Sequence, residues 1–531
     1  MSRWAGFVVV CGCAVPAAAP PLPGSAEATQ VTPAAPAATP QTWRPVTTAP
    51  FDAAAPVLLT DGTVMVQELE TENWWQLTPD AMGSYEHGTW AKLASMPAGY
   101  SPLYTATGVL TDGNVIVQGG EYLAGNFAFT TQGAIYDPLA NSWKSVSPPL
   151  GWGTIGDASG MVLPDGRWML SSCCDKPDFK QALWDEATGL WTPTGMGKLD
   201  IHDEESWGLL WDGTIITVDA NNTTDLTATE SFDPATGIWT PAGHTPVQIS
   251  DVDPDNSGSH EIGPNVLRND GTILGLGGNG HNVTYDPVTK TWSAAPDLPN
   301  LGGQLDVADG PAATLPNGNT LVSASPGIFM PPTHFFEWDG ASFTMVPDPP
   351  NASANTTYQH NMLVLPTGEI MLTDFSTDIE LYTPVPGHPA DAEPVVLAAP
   401  QPLTAARDSG DAINAPAPIA FDEADGVTPV ANLFLGHTYK LPVLRMNGIT
   451  QGAYYGDDEQ TYTNYPIIRL TYQDTMHVQY CRTHDHSTRA IGPDKTGFTQ
   501  FDVPATAERG LAMLEVVANG IASPPILVNV K

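Results

Sequence analysis

One pattern returns seven times along this chain: an apolar run, a turn built on Asp-Gly or a close variant, then a second apolar run. It is clearest over residues 104–120, where Val109-Leu110 enters Thr111-Asp112-Gly113-Asn114 and continues as Val115-Ile116-Val117. Asp-Gly between β-prone runs predicts a hairpin, because the turn needs positive φ and glycine adopts it without steric cost. The leucine before the turn marks the copies at Leu59, Leu110, Leu163, Leu210, Leu267, Leu315 and Leu365. Their spacing is about 50 residues, a period that belongs to folds made by repeating one supersecondary unit.

Complete units end on an aromatic-Asp step followed by a tryptophan: Tyr136 with Trp143, Trp184 with Trp191, Phe232 with Trp239, Tyr285 with Trp292. Phe336 with Phe343 is a degenerate copy, and the first unit ends through Trp90 after a longer insertion. The last unit, which ends at Tyr382, has no closing tryptophan, while Trp43 stands unclaimed before the first. An N-terminal strand that completes the last blade would close the ring and remove its exposed edges. The expectation is a seven-bladed kelch-type β-propeller over 43–386. Beyond it, short alternating strands without helical periodicity, such as 438–444, 465–470, 477–480, 514–517 and 526–530, predict an immunoglobulin-like β-sandwich over 387–531. An all-β chain also accounts for 50 glycines and 51 prolines.

The chain carries 19 basic and 58 acidic residues, a formal charge of −39. That surface repels nucleic acid and anionic membranes and suits cations or neutral ligands such as a carbohydrate or small molecule. Residues 1–42 read as a secretory signal and an Ala/Pro-rich tether, with Cys13 offering lipid anchoring as the alternative, so the protein is expected outside the cytoplasm. No later segment is apolar enough to span a membrane, and a monomer is expected. Cys173, Cys174 and Cys481 remain; the adjacent pair can form a vicinal disulfide, leaving one thiol.

Seven such repeats followed by a small β-sandwich resemble the galactose oxidase and glyoxal oxidase superfamily, in a bacterial branch with motifs like residues 451–458 and 481–486. The resemblance implies a single copper at the propeller axis, held by two tyrosines and two histidines, with one tyrosine cross-linked to cysteine. Tyr104 matches the cross-linked tyrosine, but its partner position falls among Asp52, Ala53, Ala54 and Ala55, where there is no cysteine. Tyr358-Gln359 stands where the family has Tyr-His, with His360 one place late, and residues 451–460 contain no histidine. The cross-linked Cys-Tyr radical cofactor is therefore not expected.

The same register still points to a site. Six residues before the marker leucine stand Ala53, Tyr104, Asp157, Glu204, Glu261, Asp309 and Gln359, with His202, His260 and His360 close by. Innermost propeller strands start at one face, so these side chains converge on the axis. Asp157, His202, Glu204, His260, Glu261, Asp309 and His360 are the candidate ligands of a divalent metal ion. Carboxylates suit calcium or magnesium, and imidazole admits zinc, manganese, iron or copper. Tyr104, Glu204, Glu261 and Tyr358 are the candidate catalytic residues. A water-lined channel without a ligand is the alternative. Two functions remain open: a metal-dependent oxidoreductase acting on a carbohydrate or small alcohol or aldehyde, and a secreted binding or adhesion module. The hairpin 454–459 either reaches the axis or packs its aromatics between domains. His484-Asp485-His486 needs a third ligand to hold a metal, and reads more simply as a satisfied cluster.

Overall fold

The computed structural model describes residues 40–174, 179–252, 257–403, 421–423 and 429–531. The expected signal segment, Cys13 and the tether before residue 40 lie outside them. Within the described residues the chain is β throughout, apart from a 3₁₀ turn at Thr357–Gln359, and no helix is long and apolar enough to cross a membrane.

Each of the seven marker turns sits between the two inner strands of its own antiparallel sheet, and the turn glycines have φ between 79° and 95°. In the first repeat the strands are Ala53–Leu58, Val64–Glu68, Trp74–Thr78 and Thr89–Lys92, each paired with the next. The innermost strands of successive repeats pack side by side: Ala106–Val109 on Gly160–Val162, Gly208–Leu209 on Ile262–Leu267, and that strand on Ala312–Thr314. Ala312–Thr314 meets Asn361–Val364, which returns to Ala53–Leu58 and joins the last repeat to the first. This ring of sheets is a β-propeller. Its closure is made by Thr42–Pro45, which pairs antiparallel with Glu380–Thr383 and sets Trp43 opposite Tyr382. The Trp43 ring lies 5.0 Å from that of Tyr382 and 5.1 Å from Phe335, so the borrowed strand also packs against the neighbouring repeat.

The aromatic pairs face one another in register across the outer hairpins: Tyr136 with Trp143, Trp184 with Trp191, Phe232 with Trp239, and Tyr285 with Trp292. The degenerate copy differs. Phe343 stands opposite Trp338, and Phe336 opposite Met345, so the aromatic pair has moved two places along its strand. In the fifth repeat Arg268, one residue after Leu267, makes the turn bonds that the marker leucine makes elsewhere. The pairing slips between Ile262 and Asn265, as it does between Ala53 and Pro56 in the first repeat, so counted from Arg268 the fifth innermost strand matches the first.

The C-terminal part forms two sheets over one apolar core. One contains Thr438–Leu444, Thr496–Asp502 and Thr483–His484; the other contains Pro429–Leu433, Ile526–Val530, Gly510–Ala518, Ile467–Tyr472 and Val478–Cys481. Leu441, Val443 and Phe501 from the first meet Ile468, Leu514, Val516 and Val528 from the second. Strict alternation along Thr438–Leu444, buried at every second residue, shows a strand with one face on the core. Arg489 links this part to the propeller: fully buried, it donates to the Val109 carbonyl at 2.5 Å and lies 5.0 Å from the Tyr465 ring. The Tyr465 hydroxyl in turn donates to the Leu58 carbonyl.

Candidate metal centre

A hairpin from the C-terminal part fills the middle of the ring. Ala453–Tyr454 pairs antiparallel with the innermost strand of the sixth repeat, Ala312–Thr314. Gln451 accepts from the Leu209 amide at 2.9 Å, the Tyr455 hydroxyl donates to the Tyr358 carbonyl at 2.9 Å, and the Glu459 amide donates to the Thr105 carbonyl at 2.9 Å. These contacts reach the second, fourth, sixth and seventh repeats, which places the hairpin on the axis. Of the two expectations for residues 454–459, the structure has the hairpin at the axis, with its aromatics packed there as well. Gly456 is required by proximity, since a Cβ there would lie 2.6 Å from Asp309 Oδ1.

The hairpin brings three carboxylates to the ring position. Ligand atoms of Asp157, Asp457 and Asp458 lie within 4.8 Å of one another, as do those of Glu204, Asp309 and Asp457. Asp457 Oδ2 accepts from the Glu204 amide at 3.1 Å, and Glu459 Oε1 accepts from the Tyr104 amide at 3.0 Å. Glu459 Oε2 accepts from Asn361 at 3.1 Å. Glu261 stands beside Glu204, with its Oε2 buried and without a hydrogen-bond partner. The ring position is conformationally unusual. Tyr104, Glu204 and Asp309 have φ of 57°, 59° and 50°, and His260, one residue before Glu261, has 72°. Non-glycine residues held there cost about 1–3 kcal/mol each and persist only where the surroundings fix them.

Burial dominates the electrostatics. It pushes the carboxyls of Asp157, Glu204, Glu261, Asp309 and Asp458 well above the usual range, and the neighbouring carboxylates add to the shift. Asp457 is raised to about 7 by burial and then by Asp203, and Glu459 to about 7 by burial. Among the described residues none of these seven side chains forms an ion pair with lysine or arginine, while Asp458, 1% exposed, has both oxygens unpartnered. Such a set accepts either shared protons or cations.

The three histidines do not join these carboxylates, contrary to the expectation of imidazole ligands. His202 is buried against Trp207 and Trp239, 3.7 Å from Glu205, and burial followed by Lys198 keeps it neutral. His360 meets Ser323 Oγ at 3.1 Å and Phe335 at 5.3 Å, and burial lowers it to about 3. His260 is tied through its amide to Asp251 at 3.1 Å, and its Nδ1 is buried without a partner. The two axial groups are made of oxygen donors. His484 pairs with Asp485 and Asp502, and His486 Nδ1 with Thr499, while His486 Nε2 is buried without a partner.

Aromatic rings cover one side of the centre. Tyr104 stacks on Tyr455 at 6.3 Å and meets Tyr122 edge-on at 6.1 Å, and Tyr358 meets Phe329 at 5.2 Å. Ala54 packs against Tyr104 in the position where a cross-link would need cysteine, and Cys481 is buried in the C-terminal core. The residues present do not fit the Cys-Tyr copper cofactor. Cys173 and Cys174 form a disulfide, with Cys174 Sγ 3.3 Å from Asp203 Oδ1, next to Glu204 in the chain. A cavity of about 360 Å³ opens nearby, lined by Asp251, Gln304, Asp306, Met330 and Gly278; a Cβ on Gly278 would meet the Glu261 carbonyl.

Sequence reasoning missed Asp457, Asp458 and Glu459 as members of the site. The signal was there: three consecutive acids in an otherwise aromatic and polar hairpin.

No family model matches the chain, and no curated protein matches it. Solved structures that resemble it include a fungal alcohol oxidase of the AA5 family in complex with copper, 14% identical over 92% of this chain and 99% of that one, with a TM-score of 0.47. YCF48 bound to D1 peptide is 11% identical over 65% and 97%, with a TM-score of 0.44. YjhT is 14% identical over 57% and 99%, with a TM-score of 0.35.

Proposed function

We propose that this chain is an extracytoplasmic, galactose oxidase-like propeller protein that holds divalent cations on its axial carboxylates and uses them on a carbohydrate or a small alcohol or aldehyde. One observation carries the reading: Asp458 is buried, its oxygens meet no donor and face the Asp157 carboxyl, and among the described residues no lysine or arginine pairs with it. Stranding an unpaired buried charge costs about 3–5 kcal/mol, and a cation removes that cost. The oxygen-only donor set favours a hard ion such as calcium, magnesium or manganese. A bound cation would polarise an oxygen of the ligand. Tyr104, Glu204, Glu261 and Tyr358 would carry the chemistry, and the aromatic rings beside them suit the apolar face of a sugar. Oxidation at this site calls for a redox-active ion, manganese or iron, because the copper-radical residues are missing.

A second reading, a secreted glycan- or protein-binding module with a structural cation, is favoured by depth. Asp457, Asp458 and Glu459 are 2%, 1% and 0% exposed.

Elemental analysis of protein purified without chelators tests the first reading. A stoichiometric divalent metal is expected, and it should be lost in the Glu204→Gln/Glu261→Gln double variant; unchanged metal content in that variant overturns the assignment. Peroxide release on sugars, alcohols or aldehydes with manganese or iron bound supports oxidoreduction. Glycan binding without turnover supports the module.

A further inference from the structure

We infer that the axial site is binuclear, with Asp457 bridging two divalent cations. The inference rests on the cation reading above and adds its stoichiometry and its ligand class. Oxygens that share one ion at a bond length of about 2.4 Å can be no more than about 4.8 Å apart. The carboxylates fall into two sets that meet this limit. Asp157 and Asp458 belong to one, Glu204 and Asp309 to the other, and Asp457 to both. The two oxygens of Asp457 are held by different backbone amides: Oδ1 accepts from Asp458 at 2.9 Å, and Oδ2 from Glu204 at 3.1 Å. Both bonds restrain the carboxylate that the two sets share. Asp458, whose oxygens meet no donor but face the Asp157 carboxyl, and Glu261, whose Oε2 meets no donor beside the Glu204 carboxyl, supply a further ligand on each side.

Charge favours two ions over one. Fully ionised, Asp157, Glu204, Glu261, Asp309, Asp457, Asp458 and Glu459 carry seven negative charges. A single dication leaves five of them to be met by protons, and a second leaves three. Carboxylate-bridged pairs sit about 3.5–4 Å apart and clamp two oxygens of one ligand. The ligand class that follows is a molecule presenting two adjacent oxygens, such as a vicinal diol or a carboxylate.

The test is titration of metal-stripped, full-length protein with Mn²⁺, reading bound metal by elemental analysis and electron paramagnetic resonance. Two Mn²⁺ per chain with an exchange-coupled spectrum are expected. Asp458→Asn and Asp309→Asn should each retain one, without coupling, and Asp457→Asn should weaken both sites at least tenfold. One Mn²⁺ in the wild type, or loss of only one site in Asp457→Asn, overturns the binuclear centre and leaves the cation reading standing. No Mn²⁺ in the wild type overturns both. If Asp457→Asn fails to fold, the wild-type stoichiometry and the other two variants still decide.

Discussion

The molecule buries acids in two places, and it balances them differently. In the fourth repeat, Lys198 is fully buried with Glu205 and Glu230 at 2.7 Å, Asp219 at 3.3 Å and Asp200 in contact. Burial alone would lower its ammonium pKa, but Glu205 and Asp200, then Asp219 and Glu230, outweigh it and hold the group charged. The Trp239 ring, 5.6 Å away, adds a π face. The axial cluster has at least as many carboxylates, and among the described residues no lysine or arginine forms an ion pair with them. Asp200, Glu205 and Asp219 also meet the distance limit for a cation site, yet their cation is covalently part of the chain. A permanent structural charge is encoded in the sequence. On the proposed reading, the axial charge is instead supplied from solution and can exchange.

The sharpest way to break this comparison is Lys198→Met. Removing one partner of a buried ion network strands the others, so stability should fall by about 3–5 kcal/mol, the largest effect expected of any single change here. Urea unfolding measures it. Millimolar calcium should then recover part of the loss, because the fourth repeat would have become a cation site like the axis. A loss below about 1 kcal/mol, or no recovery with any divalent ion, would mean that the two clusters are not equivalent.

Removing metal from the wild type is the complementary change. An ion present at about 100 times its dissociation constant stabilises by about 2.7 kcal/mol, so chelation should lower the thermal midpoint by several degrees. Lys198 cannot be chelated, and the Glu204→Gln/Glu261→Gln variant, left with only the Asp157/Asp458 side of the centre, should respond to the same treatment with a smaller shift than the wild type. A shift as large as the wild type's in that variant would place the stabilising ion elsewhere.

How far the sequence could be read follows the range of the contacts involved. The hairpin turns, four of the aromatic pairs and the strand containing Trp43 depend on local chemistry or on the repeat, and they are found where the pattern puts them, apart from the fifth turn and the displaced Phe336–Phe343 pair. The fifth turn has the same length as the others, but Arg268 rather than a leucine takes its first position, so the leucine marker misplaces that repeat by one residue. Asp157, Glu204 and Asp309 share the register six residues before the marker and come together with hairpin carboxylates, while Glu261, one place off that register when counted from Arg268, lies beside Glu204. The histidines were not legible, because register says nothing about neighbours: His202 is claimed by the two tryptophans of its own repeat, and His360 by Ser323 and Phe335. Asp457 reaches Glu204 across 253 residues and Glu459 reaches Tyr104 across 355, and no periodicity encodes contacts of that range.

The smallest effect expected is a slope with pH, and its sign separates the clusters. A carboxyl whose folded pKa exceeds its unfolded value binds more protons folded than unfolded, so stability falls as pH rises between the two values. Asp457 moves from 3.8 to about 7 and Glu459 from 4.5 to about 7, with burial the first cause in both. Metal-free protein should therefore lose stability steadily from about pH 4 to about pH 7. Bound cations replace those protons, so saturating Mn²⁺ should flatten the axial part of the slope. In the fourth repeat, Asp219 is raised to about 8, chiefly by burial against the opposing pull of Lys198, and adds a slope of the same sign. No added ion should remove that part, since Lys198 holds the place. Its own stabilisation, from a raised ammonium pKa, is complete below 10.5 and fades only in stronger alkali. Thermal midpoints at pH 5, 6, 7 and 8, with and without Mn²⁺, should thus diverge as pH rises and leave a shared residual decline. Midpoints of the metal-free protein that climb across this window would show that the axial acids are not held protonated by burial, and the contrast with Lys198 would lose its basis.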